Sequence, residues 1–101
     1  MPFAFGDEVW PGLAKLNEEC GEVVVEIGKL MMTHGDPNHW SGDLRKRLLA
    51  EIADVEAAIV FVLRHNLSHL ERMAMARRVT DKVALYEVWH EKVDPLPENS
   101  C

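Results

Sequence analysis

With 101 residues the chain is long enough for one small domain, and its 48% hydrophobic and 28% charged residues exclude an intrinsically disordered protein. A net charge of −6 argues against binding to nucleic acid. Nothing resembles a signal peptide or a membrane span, since the longest apolar run covers only Ala57 to Leu63, and we expect a cytoplasmic protein that binds no membrane.

The first predicted element is a helix over Leu13–Met32, which follows a segment interrupted by prolines and glycines. Apolar side chains recur in it at helical spacing. We expect them to form a core stripe centred on Cys20, itself a small buried side chain. The stripe consists of Leu13, Leu16, Cys20, Val23, Val24, Ile27, Leu30 and Met31.

A loop over Thr33–Gly42, rich in turn-forming residues, leads to a second predicted helix over Asp43–His65. Asp43 or Ser41 caps this helix. Its core stripe, centred on Ile52, consists of Leu44, Leu48, Ile52, Val55, Ile59, Val62 and Leu63. Alanines and further apolar residues cover most of the remaining surface, which predicts a buried central helix.

The third predicted helix covers Ser68–Val93 and begins with a capping box formed by Ser68 and Glu71. The fold class is therefore all-α, a bundle of three principal helices without strands, in a single domain over residues 1–93 with a polar tail over residues 94–101. Because three helices form a thin core and cannot surround the second one, we expect a homo-oligomer, with a dimer as the minimum and a tetramer as the larger alternative.

Two groups of carboxylates interrupt these helices, Glu18, Glu19 and Glu22 in the first and Glu51 and Asp54 in the second. An i, i+3 pair lies on one helix face, one turn apart. Glu19–Glu22 and Glu51–Asp54 occupy matching positions beside their stripes, so antiparallel packing would bring both pairs to one cleft. Taken alone, Glu19 and Glu22 would ordinarily be interpreted as part of a solvent-exposed helix face. This interpretation is weaker for Glu51 and Asp54, because the second helix has few polar positions.

Residues 16–23 (L-N-E-E-C-G-E-V) and 50–55 (A-E-I-A-D-V) resemble the E-E-x-x-E and E-x-x-D signature of the MazG-like, all-α nucleoside triphosphate pyrophosphohydrolases. The resemblance covers roughly Leu13 to Trp89, with a long spacer between the motifs. It implies hydrolysis of a nucleoside triphosphate, foremost a dNTP, between the α- and β-phosphates to give the monophosphate and pyrophosphate.

The resemblance also assigns roles to the carboxylates. Glu19, Glu22, Glu51 and Asp54 would bind Mg²⁺, for which Mn²⁺ can substitute, and Glu18 would orient or deprotonate the attacking water. Carboxylate oxygens are the ligands that such hard cations prefer. A metal ion also lowers the pKa of bound water, so that a carboxylate suffices as the base.

Substrate phosphates require cationic side chains as well. Lys15 precedes Glu18 and Glu19 by one turn, and Arg77 and Lys82 lie on the third helix. Lys82 matches the first lysine of a stretch that binds phosphates in the family, although the family's asparagine is missing. Trp40, in the loop, is a candidate for stacking on the base, with a core or oligomer contact as the alternative.

Two other functions stay open. Phosphoribosyl-ATP pyrophosphohydrolase shares the carboxylate motifs, usually with a shorter spacer. A non-catalytic helical oligomer that binds nucleotide or metal would tolerate the loss of a motif carboxylate, whereas all five are present here. Metal-dependent release of pyrophosphate, measured substrate by substrate, distinguishes these functions.

Overall fold

The computed structural model describes residues 10–92, most of which are helical. Three helices follow one another, α1 over Leu13–Met32, α2 over Leu44–Asn66 and α3 over His69–Lys92, which confirms the all-α prediction. The predicted polar tail and the end of the third helix at Val93 lie outside the described residues.

The loop between α1 and α2 contains two short strands, β1 over Asn38–His39 and β2 over Gly42–Asp43, paired antiparallel. The expectation of a loop without strands is therefore wrong. The turn-forming residues that predicted the loop close a tight hairpin, whose two-residue strands are too short for an alternating apolar pattern to reveal them.

Side-chain caps fix the starts of the second and third helices. The Asp43 carboxylate accepts hydrogen bonds from the backbone N–H groups of Arg45 (3.0 Å) and Lys46 (3.2 Å). Ser68 and Glu71 form the predicted capping box, in which each side chain accepts from the other residue's N–H, at 2.9 and 3.1 Å. These caps satisfy N–H groups that have no partner inside the helix.

The chain divides into two compact units, Met1–Leu67 and Ser68–Cys101. In the first unit α1 and α2 form an antiparallel helical hairpin. At one end the Asn66 side chain donates a 2.9 Å hydrogen bond to the carbonyl of Pro11. Nearer the loop, Arg47 of α2 pairs with Glu26 of α1 at 3.3 Å and donates to the Ser41 carbonyl at 2.8 Å.

Gly12, the N-cap of α1, sets how closely the two helices approach. Its φ of 91° lies in the left-handed region, where glycine is favoured. A β-carbon at this position would stand 2.6 Å from Cδ1 of Phe61 on α2. Glycine therefore allows α1 to begin directly against α2.

The contact between α1 and α2 is not centred on the predicted apolar stripes. Cys20 and Ile52 are exposed, whereas Glu19 and Glu26 are each only 5% exposed. The buried and half-buried residues of the contact combine members of the predicted stripes with three carboxylates and an alanine. The stripe members are Leu16, Val23 and Leu30 on α1 and Leu44, Leu48, Val55 and Val62 on α2, and the others are Glu19, Glu26, Glu51 and Ala58. The predicted centres are wrong because the contact lies to one side of Cys20 and Ile52, on the side where Glu19 and Glu26 are buried.

Helix α2 is also not a buried central helix within its own unit. Leu49 is 56% exposed and Val60 42% exposed, because α1 covers only one side of α2. In the second unit, α3 likewise has exposed apolar side chains, among them Met73, Val79 and Trp89. None of the described helices combines the length and the apolar character needed to cross a membrane.

Candidate functional site

All five predicted carboxylates meet on the α1–α2 hairpin. One carboxylate oxygen from each of Glu18, Glu19 and Glu22 lies within 4.8 Å of the other two, and the same holds for Glu19, Glu51 and Asp54. Glu19 belongs to both triads and therefore joins the two motifs. Antiparallel packing produces this cluster because it places the two i, i+3 pairs opposite each other. The division into four ligands and one base stays a prediction.

Glu19 has the least exposed side chain of the cluster. One of its oxygens, Oε1, forms an ion pair with Lys15 Nζ at 2.9 Å. The other, Oε2, is buried and has no hydrogen-bond partner among residues 10–92, and the same is true of Oε2 of Glu51 and, outside the cluster, of Oε2 of Glu26. A buried carboxylate oxygen without a partner is costly, and a cation would satisfy both oxygens. The donor set therefore fits a hard divalent ion.

Glu22 completes the contact between the motifs. Its carboxyl lies within hydrogen-bonding reach of Glu51, and this contact, followed by repulsion from Glu19, raises the pKa of Glu22 above its ordinary value. The raised pKa of Glu22 reflects the close approach of like-charged groups from the two motifs.

Lys15 lies beside the cluster, and its contact with substrate phosphates stays a prediction. Its ammonium contacts Glu19 at 2.9 Å and Glu18 at 3.5 Å. The hydrogen bond to Glu19 is the largest cause that raises the pKa of Lys15. The Glu18 side chain is 42% exposed, so it is the more accessible of the two carboxylates that Lys15 contacts.

A groove of about 480 Å³ adjoins the cluster and is lined by Lys15, Glu19, Asp54, Ala57, Ala58 and Phe61. Sequence reasoning did not assign its three apolar residues to the site. The signal was available, because residues three, four and seven positions after Asp54 lie on the same helix face. The lining of the groove therefore includes both charged side chains, among them two carboxylates of the cluster, and apolar side chains.

The remaining predicted substrate contacts lie elsewhere. Trp40 is 91% exposed at the turn between β1 and β2. Because α1 ends 13 residues after Glu19, Trp40 lies roughly 20 Å along the hairpin from the cluster. Arg77 and Lys82 lie on α3, in the second unit. The roles of these three residues stay predictions.

Glu26, one turn beyond Glu22, has a different environment. Its buried carboxylate pairs with Lys29 and Arg47, both at 3.3 Å. Burial raises the pKa of Glu26, but the hydrogen bonds from the two cations outweigh it, so that the pKa lies below its ordinary value. Glu26 therefore acts as a charged link between α1 and α2.

No protein-family model matches the chain, and neither a curated protein nor a solved structure matches it. The resemblance to the MazG-like enzymes therefore depends on the two sequence motifs alone.

Proposed function

We propose that the protein is a MazG-like, metal-dependent nucleoside triphosphate pyrophosphohydrolase, which converts a (d)NTP and water into the monophosphate and pyrophosphate. The observation that carries this proposal is the carboxylate cluster, in which Glu19 joins two triads drawn from both motifs. Its buried, unpartnered oxygens on Glu19 and Glu51 support a cation as the missing partner.

Glu19, Glu22, Glu51 and Asp54 would hold Mg²⁺, or Mn²⁺ in its place. The Glu19–Glu51–Asp54 triad offers three oxygen donors, and Mg²⁺ sites at phosphates typically combine carboxylates with phosphate oxygens and water. The bound metal would neutralise phosphate charge and lower the pKa of a coordinated water. Hydrolysis of a phosphoric anhydride depends mainly on this neutralisation and on correct positioning.

Two residues of the chain perform the remaining tasks. Glu18 is partly exposed at the edge of the cluster, which suits a base that accepts a proton from water without being buried as a ligand. Lys15 is 36% exposed on a flexible stem, so its ammonium can turn from the carboxylates to a phosphate oxygen. Arg77 and Lys82 are further proposed phosphate contacts.

The protein is further proposed to act as a homo-oligomer, at least a dimer. The exposed apolar residues of the hairpin, among them Val24, Met31, Leu49 and Val60, support this proposal. A second hairpin packed on them would complete a four-helix arrangement. Trp40 lies roughly 20 Å from the cluster of its own hairpin, so it would contact a substrate base only at the cluster of a second protomer. Sedimentation as a monomer at micromolar concentration would contradict the oligomer.

The decisive experiment measures pyrophosphate release from a panel of dNTPs, NTPs and phosphoribosyl-ATP, with Mg²⁺ and with excess chelator. We expect Mg²⁺-dependent turnover of one or more triphosphates, and its loss in Asp54→Asn with the helical circular dichroism unchanged. Glu56→Gln is the matched control, because Glu56 is an exposed α2 carboxylate outside both triads. If phosphoribosyl-ATP were the one substrate turned over, the protein would be a phosphoribosyl-ATP pyrophosphohydrolase. If metal bound without any turnover, the protein would be non-catalytic.

A further inference from the structure

Two cationic side chains, Lys29 and Arg47, lie on the same face of the hairpin as the carboxylate cluster, but nearer the loop. Lys29 follows Glu22 by seven residues on α1, and Arg47 precedes Asp54 by seven residues on α2. Seven residues make about two helical turns, so the members of each pair lie on the same side of their helix, roughly 10 Å apart along its axis. One face of the hairpin therefore carries both the cluster and the cations.

Contacts between the two helices give the order of these groups along the face. The carboxyls of Glu22 and Glu51 approach each other within the cluster. One turn nearer the loop, about 6 Å along the helix axes, Arg47 contacts Glu26 at 3.3 Å. Lys29 contacts Glu26 at 3.3 Å as well, and both cations bind the same oxygen, Oε1. The two cations therefore form the layer of side chains next to the cluster.

The charges of this layer do not cancel, because two cations share one carboxylate. An ammonium has three N–H donors and a guanidinium has five. Lys29 donates to Glu26, and Arg47 donates to Glu26 and to the Ser41 carbonyl. The other N–H donors of both cations have no acceptor among residues 10–92, and the Arg47 side chain is 47% exposed. A further anion can therefore bind the two cations without replacing their present contacts.

A chain of phosphates suits this position better than a single anionic group. The five carboxylates of the cluster would repel an anion one turn away, unless a cation at the cluster neutralises them and binds the same anion. The anion must then extend from the cluster to the two cations. A guanidinium also matches phosphate oxygens with paired N–H donors, and an ammonium adds a compact positive charge.

We propose that Lys29 and Arg47 bind the β- and γ-phosphates of the substrate and the pyrophosphate that these become. This inference rests on the proposed function, because it takes the triphosphate to be bound at the carboxylate cluster. Water adds to the α-phosphorus and gives its proton to Glu18. The bond from the α-phosphorus to the bridging oxygen breaks, and this oxygen leaves with the electron pair as part of pyrophosphate. The two cations stabilise the negative charge that develops on this leaving group.

Calorimetry with inorganic pyrophosphate in the presence of Mg²⁺ tests the two cations without any turnover. Lys29→Gln removes one positive charge and keeps a polar side chain. We expect this variant to bind pyrophosphate roughly 10–100-fold more weakly than the wild type, which is the loss expected for one charge-assisted hydrogen bond. Its affinity for Mg²⁺ alone should be unchanged. Lys29→Arg keeps the charge and should restore most of the affinity for pyrophosphate.

Glu26→Gln distinguishes phosphate binding from a structural role, because it breaks the same ion pairs and leaves both cations in place. It should bind pyrophosphate at least as tightly as the wild type, whereas a purely structural role would weaken binding in Glu26→Gln and Lys29→Gln alike. Lys46→Gln is the matched control and should bind like the wild type. Lys46 is an exposed lysine next to Arg47, on a different side of α2.

Three results would overturn the inference: wild-type pyrophosphate binding by Lys29→Gln, equal weakening in Lys29→Gln and Glu26→Gln, or a wild type that binds no pyrophosphate. Metal-dependent turnover of a triphosphate together with any of these results would leave the proposed function in place. The expected binding pattern in a protein that hydrolyses no nucleotide would instead refute the proposed function and retain the phosphate site.

Discussion

Glu19→Gln tests the carboxylate cluster most directly, because Glu19 alone belongs to both triads. The substitution keeps the shape of the side chain and removes its charge, so each triad retains two of its three carboxylates. In chelator, the loss of the 2.9 Å ion pair to Lys15 is offset by relief of repulsion from the neighbouring carboxylates. We therefore expect the metal-free variant to unfold at nearly the wild-type temperature.

The difference should appear when Mg²⁺ is added. At a free concentration of 100 times Kd, binding stabilises the folded wild type by about 2.7 kcal/mol. For a chain of this size, this free energy raises Tm by roughly 10–20 °C. Glu19→Gln should lose most of this rise and the pyrophosphate release with it. Thermal unfolding by circular dichroism, repeated over a Mg²⁺ titration, measures the effect.

Glu56→Gln serves as the control, since it removes one negative charge from an exposed α2 position outside the triads. This variant should show the wild-type rise in Tm. If Glu19→Gln showed the same rise, the cluster would not be the metal site and the reasoning from its buried, unpartnered oxygen would be refuted.

Three further predictions concern the base, the charged link and the glycine contact. Glu18→Gln should lower turnover roughly 10²–10⁴-fold with metal and nucleotide still bound, which single-turnover kinetics and calorimetry would measure; full activity would exclude Glu18 as the base. In the folded protein the pKa of Glu26 lies below its ordinary value of 4.5. The charged Glu26 side chain therefore stabilises the folded state above pH 4.5, and this contribution is lost as the pH falls through the folded-state pKa. Glu26→Gln should accordingly flatten the stability profile below pH 4.5, and an unchanged acid unfolding curve would contradict the link. Gly12→Ala should destabilise the protein by about 1–3 kcal/mol in urea unfolding, through its backbone strain and its collision with Phe61. Gly28→Ala, where the added carbon meets nothing within 4 Å, should be neutral or stabilising by up to about 1 kcal/mol, and equal losses in both variants would refute this account.

The sequence determined the local structure well because its signals are local. Periodic apolar residues predicted α1 at the bounds Leu13–Met32 that the structure has. Asp43 and the Ser68–Glu71 pair predicted two helix starts, since each cap acts on backbone groups two or three residues away. From the i, i+3 spacing the sequence also predicted that the two carboxylate motifs can meet if α1 and α2 pack antiparallel, and in the structure their carboxylates lie together.

Only the tertiary structure decided which faces meet. The apolar pattern pointed to Cys20 and Ile52, yet Glu19 and Glu26 lie in the contact between α1 and α2. A buried carboxylate needs a charged or polar partner to be stable. For Glu26 one such partner is Arg47, which lies 21 residues further along the chain, so a helical wheel of α1 alone does not show it. The groove over Ala57 likewise exists only where α1 and α2 lie side by side. Burial and cavities depend on contacts between residues that are distant in the chain. Sequence periodicity reflects only neighbours along one helix, so it does not predict these contacts.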